Sequence, residues 1–127
     1  DSREVECFVF DQKGVWSYCA ETHALKLLAE GDHRSATTAG QDFVSLAPVT
    51  LIFAVNQAKT GRISNGRAGA ICQSVDVGVM VQTALLACSA MGLAAVPRAW
   101  FEPQDVLGAA GLKSYDPQMA VTVGFPQ

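Results

Sequence analysis

Polar and apolar residues alternate near the start of the chain and then give way to an apolar run. Glu4–Phe10 reads Glu-Val-Glu-Cys-Phe-Val-Phe, the pattern of a strand entering a core. Asp11-Gln12-Lys13-Gly14 is a turn, with Gly14 able to take positive φ, and Val15–Ala20 is the returning strand of a hairpin. A second turn, Glu21–His23, leads into Ala24–Glu30, whose short length and flanking turns favour a third strand. Gly31–Gly40 is a polar loop with a helical turn, and Gln41–Leu46 a short helix halted before Pro48. Val49–Asn56 is the clearest strand. Its continuous apolar run indicates burial on both faces, as at the centre of a sheet. Gln57–Gly69, rich in Gly, Arg and Asn, reads as an exposed connection.

The uncharged stretch Val77–Pro97 is expected to be a buried helix plus the start of a strand, not a membrane span. Gly92 followed by Leu93 resembles a C′ glycine with its C″ hydrophobic contact, so the helix should stop at Met91. Val77–Met91 then measures about 22 Å at 1.5 Å per residue, shorter than a bilayer core of roughly 30 Å. Gln82, Thr83 and Ser89 interrupt its apolar surface, and Asp76 is its expected N-cap. A helix apolar nearly all round is buried on all sides. In so small a domain, a subunit interface is a natural place for one face. Leu93–Pro97 is a strand, Gln104–Ala110 a short helix ended by Gly111, and Met119–Gly124 a closing strand. The order implies one α+β domain over residues 1–127, built around a mostly buried sheet.

With 127 residues the chain fits a single domain that buries a real core, and half its residues are hydrophobic. A net charge of −3 offers no basic field, so nucleic acid and anionic membrane are poor partners. Cys7, Cys19, Cys72 and Cys88 form no C-x-x-C pair and have apolar neighbours. They read as reduced core thiols, consistent with a cytoplasmic protein.

Motifs for familiar chemistries are absent. There is no Gly-x-Ser-x-Gly, and His23 and His33 lie in turn-like polar surroundings and read as exposed. Nor do these histidines and the scattered acids give a zinc-ligand spacing. The segment from Gly61 to Ala68 has the outline of a phosphate loop. Arg67 replaces its lysine, however, and Ala68 lacks the hydroxyl that would hold Mg²⁺, so it reads as a surface loop. Asp42, Asp76 and Asp105 sit at expected helix starts, where capping accounts for them. Gln82 must find partners if buried, through backbone, a second subunit or a ligand.

The segment worth singling out is Ala95–Phe101. A strand following a buried helix, with Pro97, Arg98 and Trp100, offers backbone N–H donors beside a cation and an aromatic ring. A planar, electron-accepting ligand could use all three. From the spacing alone, an ordinary edge strand with Trp100 in a core or dimer contact is the better account.

Four pieces run in register with a known family: "GVWSYCAETHALKLLAEGDHR", "GQDFVSLAPVTLIFAVN", "DVGVMVQTALLACSAMGLAAVPRAWF" and "MAVTVGFP". Together they resemble the nitroreductase-like FMN-dependent NAD(P)H oxidoreductases, most closely the branch related to azoline-forming peptide dehydrogenases. The resemblance implies an α+β fold with a central, mostly antiparallel sheet and a long buried helix, about 76–91, at a homodimer interface. It implies FMN at that interface, NAD(P)H as reductant and hydride transfer through the flavin to a small organic acceptor. The family's Pro-Ile-Glu-Gly-Phe turn stands here as Pro97-Arg98-Ala99-Trp100-Phe101. By that match the Ala99 and Trp100 amides approach flavin N5 and O4, Pro97 and Arg98 line the ring, and Trp100 narrows the pocket.

The resemblance further implies that the chain corresponds to the C-terminal part of such a domain. It begins inside a "PSA-x-N-x-Q" stretch, with Asp1 at the asparagine and Arg3 at the glutamine, and ends before the basic residues that contact the FMN phosphate. The alternative expectation is therefore a non-enzymatic dimeric remnant with weak or no FMN binding. A module for another planar ligand is the third.

Overall fold

Val49–Asn56 lies in the interior of a sheet, with Ile52, Phe53, Ala54 and Val55 all buried. A computed structural model describes residues 3–59 and 66–127. The elements run β1 (Val5–Phe10), β2 (Gly14–Cys19), β3 (Ala24–Glu30), α1 (Asp42–Leu46), β4 (Val49–Asn56), α2 (Gly66–Ala90), β5 (Ala94–Arg98), α3 (Pro103–Ala110) and β6 (Tyr115–Gly124). Short 3₁₀ turns occupy Arg34–Thr37 and Gln57–Lys59. The six strands form one sheet in the order β3-β2-β1-β4-β6-β5, and every neighbouring pair is antiparallel.

Strand alternation divides the core into two layers. On one face Phe8, Phe10, Val15, Ile52, Ala54 and Ala120 pack with Val106 and Ala110 of α3. On the other, Phe53, Val55 and Val121 pack with Val77 and Val81 of α2. The expected β1–β2 hairpin, the third strand and the central strand are present.

Four sequence expectations need correction. First, α2 begins at Gly66, ten residues before Asp76, so the stretch read as a loop up to Gly69 includes its first turn. Gly66 and Gly69 suggested a connection, because glycine costs a helix roughly 1 kcal/mol per residue. Gly69 is nevertheless buried within the helix. Second, the length argument against spanning fails. Twenty-five residues make about 37 Å of helix, and α2 is long and apolar enough to cross a membrane by length and composition. It packs one face on the sheet, whereas Ile71, Val75, Val79 and Leu86 on its other face are exposed in the single chain.

Third, the aspartates are not caps. Gln41 and Glu102 occupy the N-cap positions of α1 and α3, and Asp76 lies inside α2. Asp76 is hydrogen-bonded to Glu4. That bond, burial and the charge of Glu4 hold the Asp76 carboxyl above its ordinary pKa. Fourth, the cysteines are all free but not all in the core: Cys88 is buried, Cys7 and Cys19 are half-buried and Cys72 is exposed. Burial pushes the Cys7 thiol up to about 12.

The C-terminal end of α2 follows the sequence reading. Gly92 has φ 76°. The Leu93 amide donates to the Cys88 carbonyl at 2.8 Å and the Gly92 amide to the Ser89 carbonyl at 3.1 Å, a Schellman motif.

Gly14 is demanded by space, not by positive φ. A β-carbon there would lie 2.6 Å from the Ala29 carbonyl oxygen. The hairpin turn is fixed by Asp11, whose Oδ1 accepts from the Lys13 and Gly14 amides at 2.9 Å each and from Trp16 Nε1 at 3.1 Å. Burial raises the Asp11 pKa, but hydrogen bonds from Trp16, Gly14 and Lys13 outweigh it and hold the carboxyl below its usual value. The ionised form is thus favoured in the folded state, and its contribution is present above the unfolded value of 3.8 and fades as pH falls through the folded one. Asp11→Ala is expected to cost about 2 kcal/mol at neutral pH. Thermal unfolding against pH checks this, since the gap from wild type should narrow in acid. A gap independent of pH would exclude the carboxylate as its source.

Candidate functional site

β5 is an edge strand, paired only to β6, and it carries a proline. Proline is confined to such edges or to bulges because it has no N–H for the ladder. Registration opposite β6 sets which way each β5 side chain points. Ala95 and Pro97 stand across from Val123 and Val121 on the α2 side, while Arg98 stands across from Ala120 on the α3 side. Between β5 and the end of α2 lies an open groove of about 480 Å³, lined by Leu85, Ser89, Leu93, Ala95, Pro97 and Pro126. That volume lies within the roughly 300–1,000 Å³ range of small-molecule sites, and its side walls are mainly apolar.

Beyond the strand, Ala99 and Trp100 are exposed, and Trp100 has 72% of its surface open. Phe101 turns back and packs on the α3-side core. Arg98 does not present its guanidinium at this surface, contrary to the expectation that it lines a bound ring. Only 5% exposed, it donates from Nε to Thr122 Oγ1 at 2.9 Å and from Nη1 to Gln41 Oε1 and the Trp100 carbonyl, each at 3.1 Å. Nη2 donates to the Thr37 carbonyl at 2.8 Å. All four acceptors are neutral, and burial lowers the guanidinium pKa from its ordinary value.

The six expected site residues divide spatially. Pro97, Arg98, Ala99 and Trp100 are contiguous at the β5 edge. Arg3 precedes β1, which is separated from β5 by β4 and β6, and is ion-paired with Glu21 at 3.6 Å. Asp1 lies outside the described residues, as does 61–65 of the phosphate-loop-like segment. Arg67 and Ala68 belong to the first turn of α2. Gln82 is exposed on α2, so its amide is not a buried group in the single chain. The histidines are more ordered than their surroundings suggested: Tyr18 Oη meets His23 Nδ1 at 2.8 Å, and His33, half-buried, places Nε2 2.8 Å from the Glu30 carbonyl.

Sequence reasoning missed a polar knot at the opposite end of the sheet. Asn56 Nδ2 and Tyr115 Oη donate to the two Glu6 carboxylate oxygens at 2.8 and 3.1 Å, and Lys59 Nζ lies 3.5 Å from Oε2. The glutamate at an otherwise strand-like position was its only signal. Burial, then the Glu6 charge and hydrogen bond, pushes the Tyr115 phenol up to about 12.

The fold and edge groove together define a single-sheet α+β domain with an open, largely apolar groove beside its edge strand. Residues 2–125 match the model of the nitroreductase family, and the chain belongs to that family. It is 28% identical over 116 residues to a Methanocaldococcus jannaschii protein named as a nitroreductase, covering 89% of this chain and 58% of that one. A crystal structure from Ralstonia eutropha JMP134, also described as a nitroreductase, is 28% identical with a TM-score of 0.86, covering 98% of this chain and 59% of that one. The NADPH:FMN oxidoreductase of Vibrio harveyi, solved with NAD+, shares the fold at 20% identity and a TM-score of 0.69, over 99% of this chain and 52% of that one. The chain thus spans under two thirds of the length of these relatives. Within this fold α2 is a layer against the sheet, which accounts for the apolar residues of its inner face, Val77 and Val81 among them.

Tyr115→Phe tests the polar knot. A raised phenol pKa means the protonated form is favoured in the folded state, so its contribution is full below the unfolded value of 10 and fades as pH rises toward 12. The variant is expected to lose about 1 kcal/mol at pH 7 and to lose less additional stability than wild type above pH 10. Denaturant unfolding across the alkaline range measures both effects.

Proposed function

We propose that this chain forms the sheet-edge wall of an FMN site in a homodimeric oxidoreductase that takes reducing equivalents from NAD(P)H and passes them to a small organic acceptor. The observation that carries this reading is the groove between α2 and β5, whose lining includes Pro97, two residues before the exposed Ala99 and Trp100. FMN, when bound, supplies the two-electron carrier. The chain's own share is to hold and orient it. Leu85, Leu93 and Pro97 offer apolar surface for a ring, and the Ala99 and Trp100 amides, just beyond Pro97, offer donors for its edge. The name of the Vibrio harveyi protein supports FMN and NADPH as the chemistry.

The ring side fits the residues present, but the phosphate side does not lie in this groove. Its lining residues carry no cation, and Arg98 is turned inward. We place the phosphate contacts outside the groove. This same lack favours the second reading, a dimeric domain that binds FMN weakly or not at all.

For the dimer, the supporting observation is the outer face of α2. Ile71, Val75, Val79 and Leu86 are exposed there, and full burial of each contributes roughly 1.5–3 kcal/mol. Gly78 leaves open space on the helix surface for close approach. Four free thiols suit a reducing, cytoplasmic compartment.

The purified protein is expected to retain yellow flavin after FMN addition and gel filtration, and to oxidise NAD(P)H. Ser89→Trp, which fills the groove, should abolish retention while leaving the circular dichroism spectrum unchanged. Folded protein that retains no flavin would leave the non-enzymatic reading. Light scattering should give twice the chain mass for wild type and the single mass for Val79→Glu. A monomeric wild type would sink the α2 interface.

A further inference from the structure

We infer that Arg98 is a positioning residue. Its buried side chain closes a clamp around the Ala99–Trp100 backbone and fixes the two amides, just beyond the groove-lining Pro97, for a planar ligand. The ligand half of this inference rests on the flavin reading above. The clamp itself rests on geometry.

The guanidinium of residue 98 hydrogen-bonds the carbonyl of residue 100 at 3.1 Å. The ring so closed contains the peptide units that carry the N–H groups of Ala99 and Trp100. Freeing either amide to swing would require the Trp100 carbonyl to leave the guanidinium or the guanidinium to leave its anchors. Those anchors come from three further places: Thr122 on β6, Gln41 at the start of α1, and Thr37 in the 3₁₀ turn. Thr122 is itself buried, with its hydroxyl 3.4 Å from that of Thr50 on β4. On the far side, Phe101 packs into the α3-side core. The exposed dipeptide is thereby pinned between two inward side chains.

A buried cation hydrogen-bonded only to neutral groups is costly to maintain. A side chain needed merely to fill this space would be apolar. Arginine's planar fork bonds acceptors from several elements at once, which lysine's single ammonium does not reproduce. The arrangement suits a backbone that must be rigid while its outer surface stays open. Preorganisation of this kind favours binding by reducing the ordering cost.

The test compares wild type, Arg98→Lys and Arg98→Met in the full chain. Amide order parameters from nitrogen-15 relaxation at Ala99 and Trp100 should be near the rigid value of about 0.85 in wild type and fall toward about 0.6 in both variants. Those of β1 and β2 should not move. FMN affinity should fall about tenfold in both variants, with a shifted visible absorption band of the residual bound flavin. Should the Arg98 variants not fold, Gln41→Leu and Thr122→Val each remove one anchor and are expected to give the same changes in smaller measure. Order parameters unchanged at Ala99 and Trp100 would overturn the clamp. Equal affinity and an unshifted band in the variants, beside a flavin-binding wild type, would overturn its role in binding. A wild type that takes up no FMN would end the flavin reading and the ligand half of this inference. The clamp would still be decided by relaxation.

Discussion

A sheet whose central strand is apolar on both faces must be covered on both, and this requirement organises the molecule. β4 presents Ile52 and Ala54 to one side and Phe53 and Val55 to the other. On the first side α3 and the segment around Ala36 give cover to Phe8, Phe10, Val15 and Ile52. On the second side the cover is the single helix α2. Helix and side chains together are roughly 10–12 Å wide, whereas six strands at about 4.8 Å spread over roughly 24 Å between the outermost two. One helix cannot roof that width. Two uncovered margins follow. One is the groove beside β5. The other is the far end, where Trp16 and Leu27 stand in line with Val9, and Tyr18 beside Leu25, on the α2 side. Tyr18, Leu25 and Leu27 are exposed there.

Arg98 solves a local version of the same problem. The strand that carries it is an edge with a proline, so its backbone is held from one side only, by β6. The turn beyond it must leave the sheet, show Ala99 and Trp100 outward and return Phe101 to the core. Hydrogen bonds from one buried guanidinium tie that turn to α1, β6 and the 3₁₀ turn at Arg34–Thr37. Because the acceptors are neutral, the positive charge is solvated by the protein and not cancelled. It therefore contributes a field at the back of the exposed turn as well as a fixed geometry.

Hydrophobic patterning made β1, β2, β4 and the end of α2 legible, since each has a local signature: alternation, a continuous apolar run, or a glycine followed by leucine. The start of α2 was not legible, because its glycines carry a local helix penalty that tertiary packing overrides. The start of β6 was hidden by Pro117. The structure accommodates that residue beside a bulge, where Ala54 pairs with Pro117 and Phe53 with Met119, on a stretch of β6 that extends past β5. At the site, Pro97–Trp100 could be placed from sequence as one segment, with family resemblance giving it a purpose. The direction of the Arg98 side chain could not. It depends on strand register against β6 and on acceptors as many as 61 residues away, and neither leaves a trace in local spacing. Likewise, Arg3 falls near the site in a linear match but sits across the sheet, because β4 and β6 intervene.

α2 links the groove to the helix's own exposed outer face. Leu85 and Ser89 face the groove, while Leu86, the next residue along the helix, faces outward. A rigid helix cannot move one of these without the other. A second copy seated on Val75, Val79 and Leu86 would fix the rotation of α2 about its axis, and with it the wall that Leu85 and Ser89 give the groove. A ligand that favours one setting of that wall would, by reciprocity, favour the associated form by the same free energy. Association and ligand binding would then be two readouts of a single structural variable. That variable would be the seat of α2 on a sheet it only partly covers, an arrangement that follows from the two-sided burial of β4.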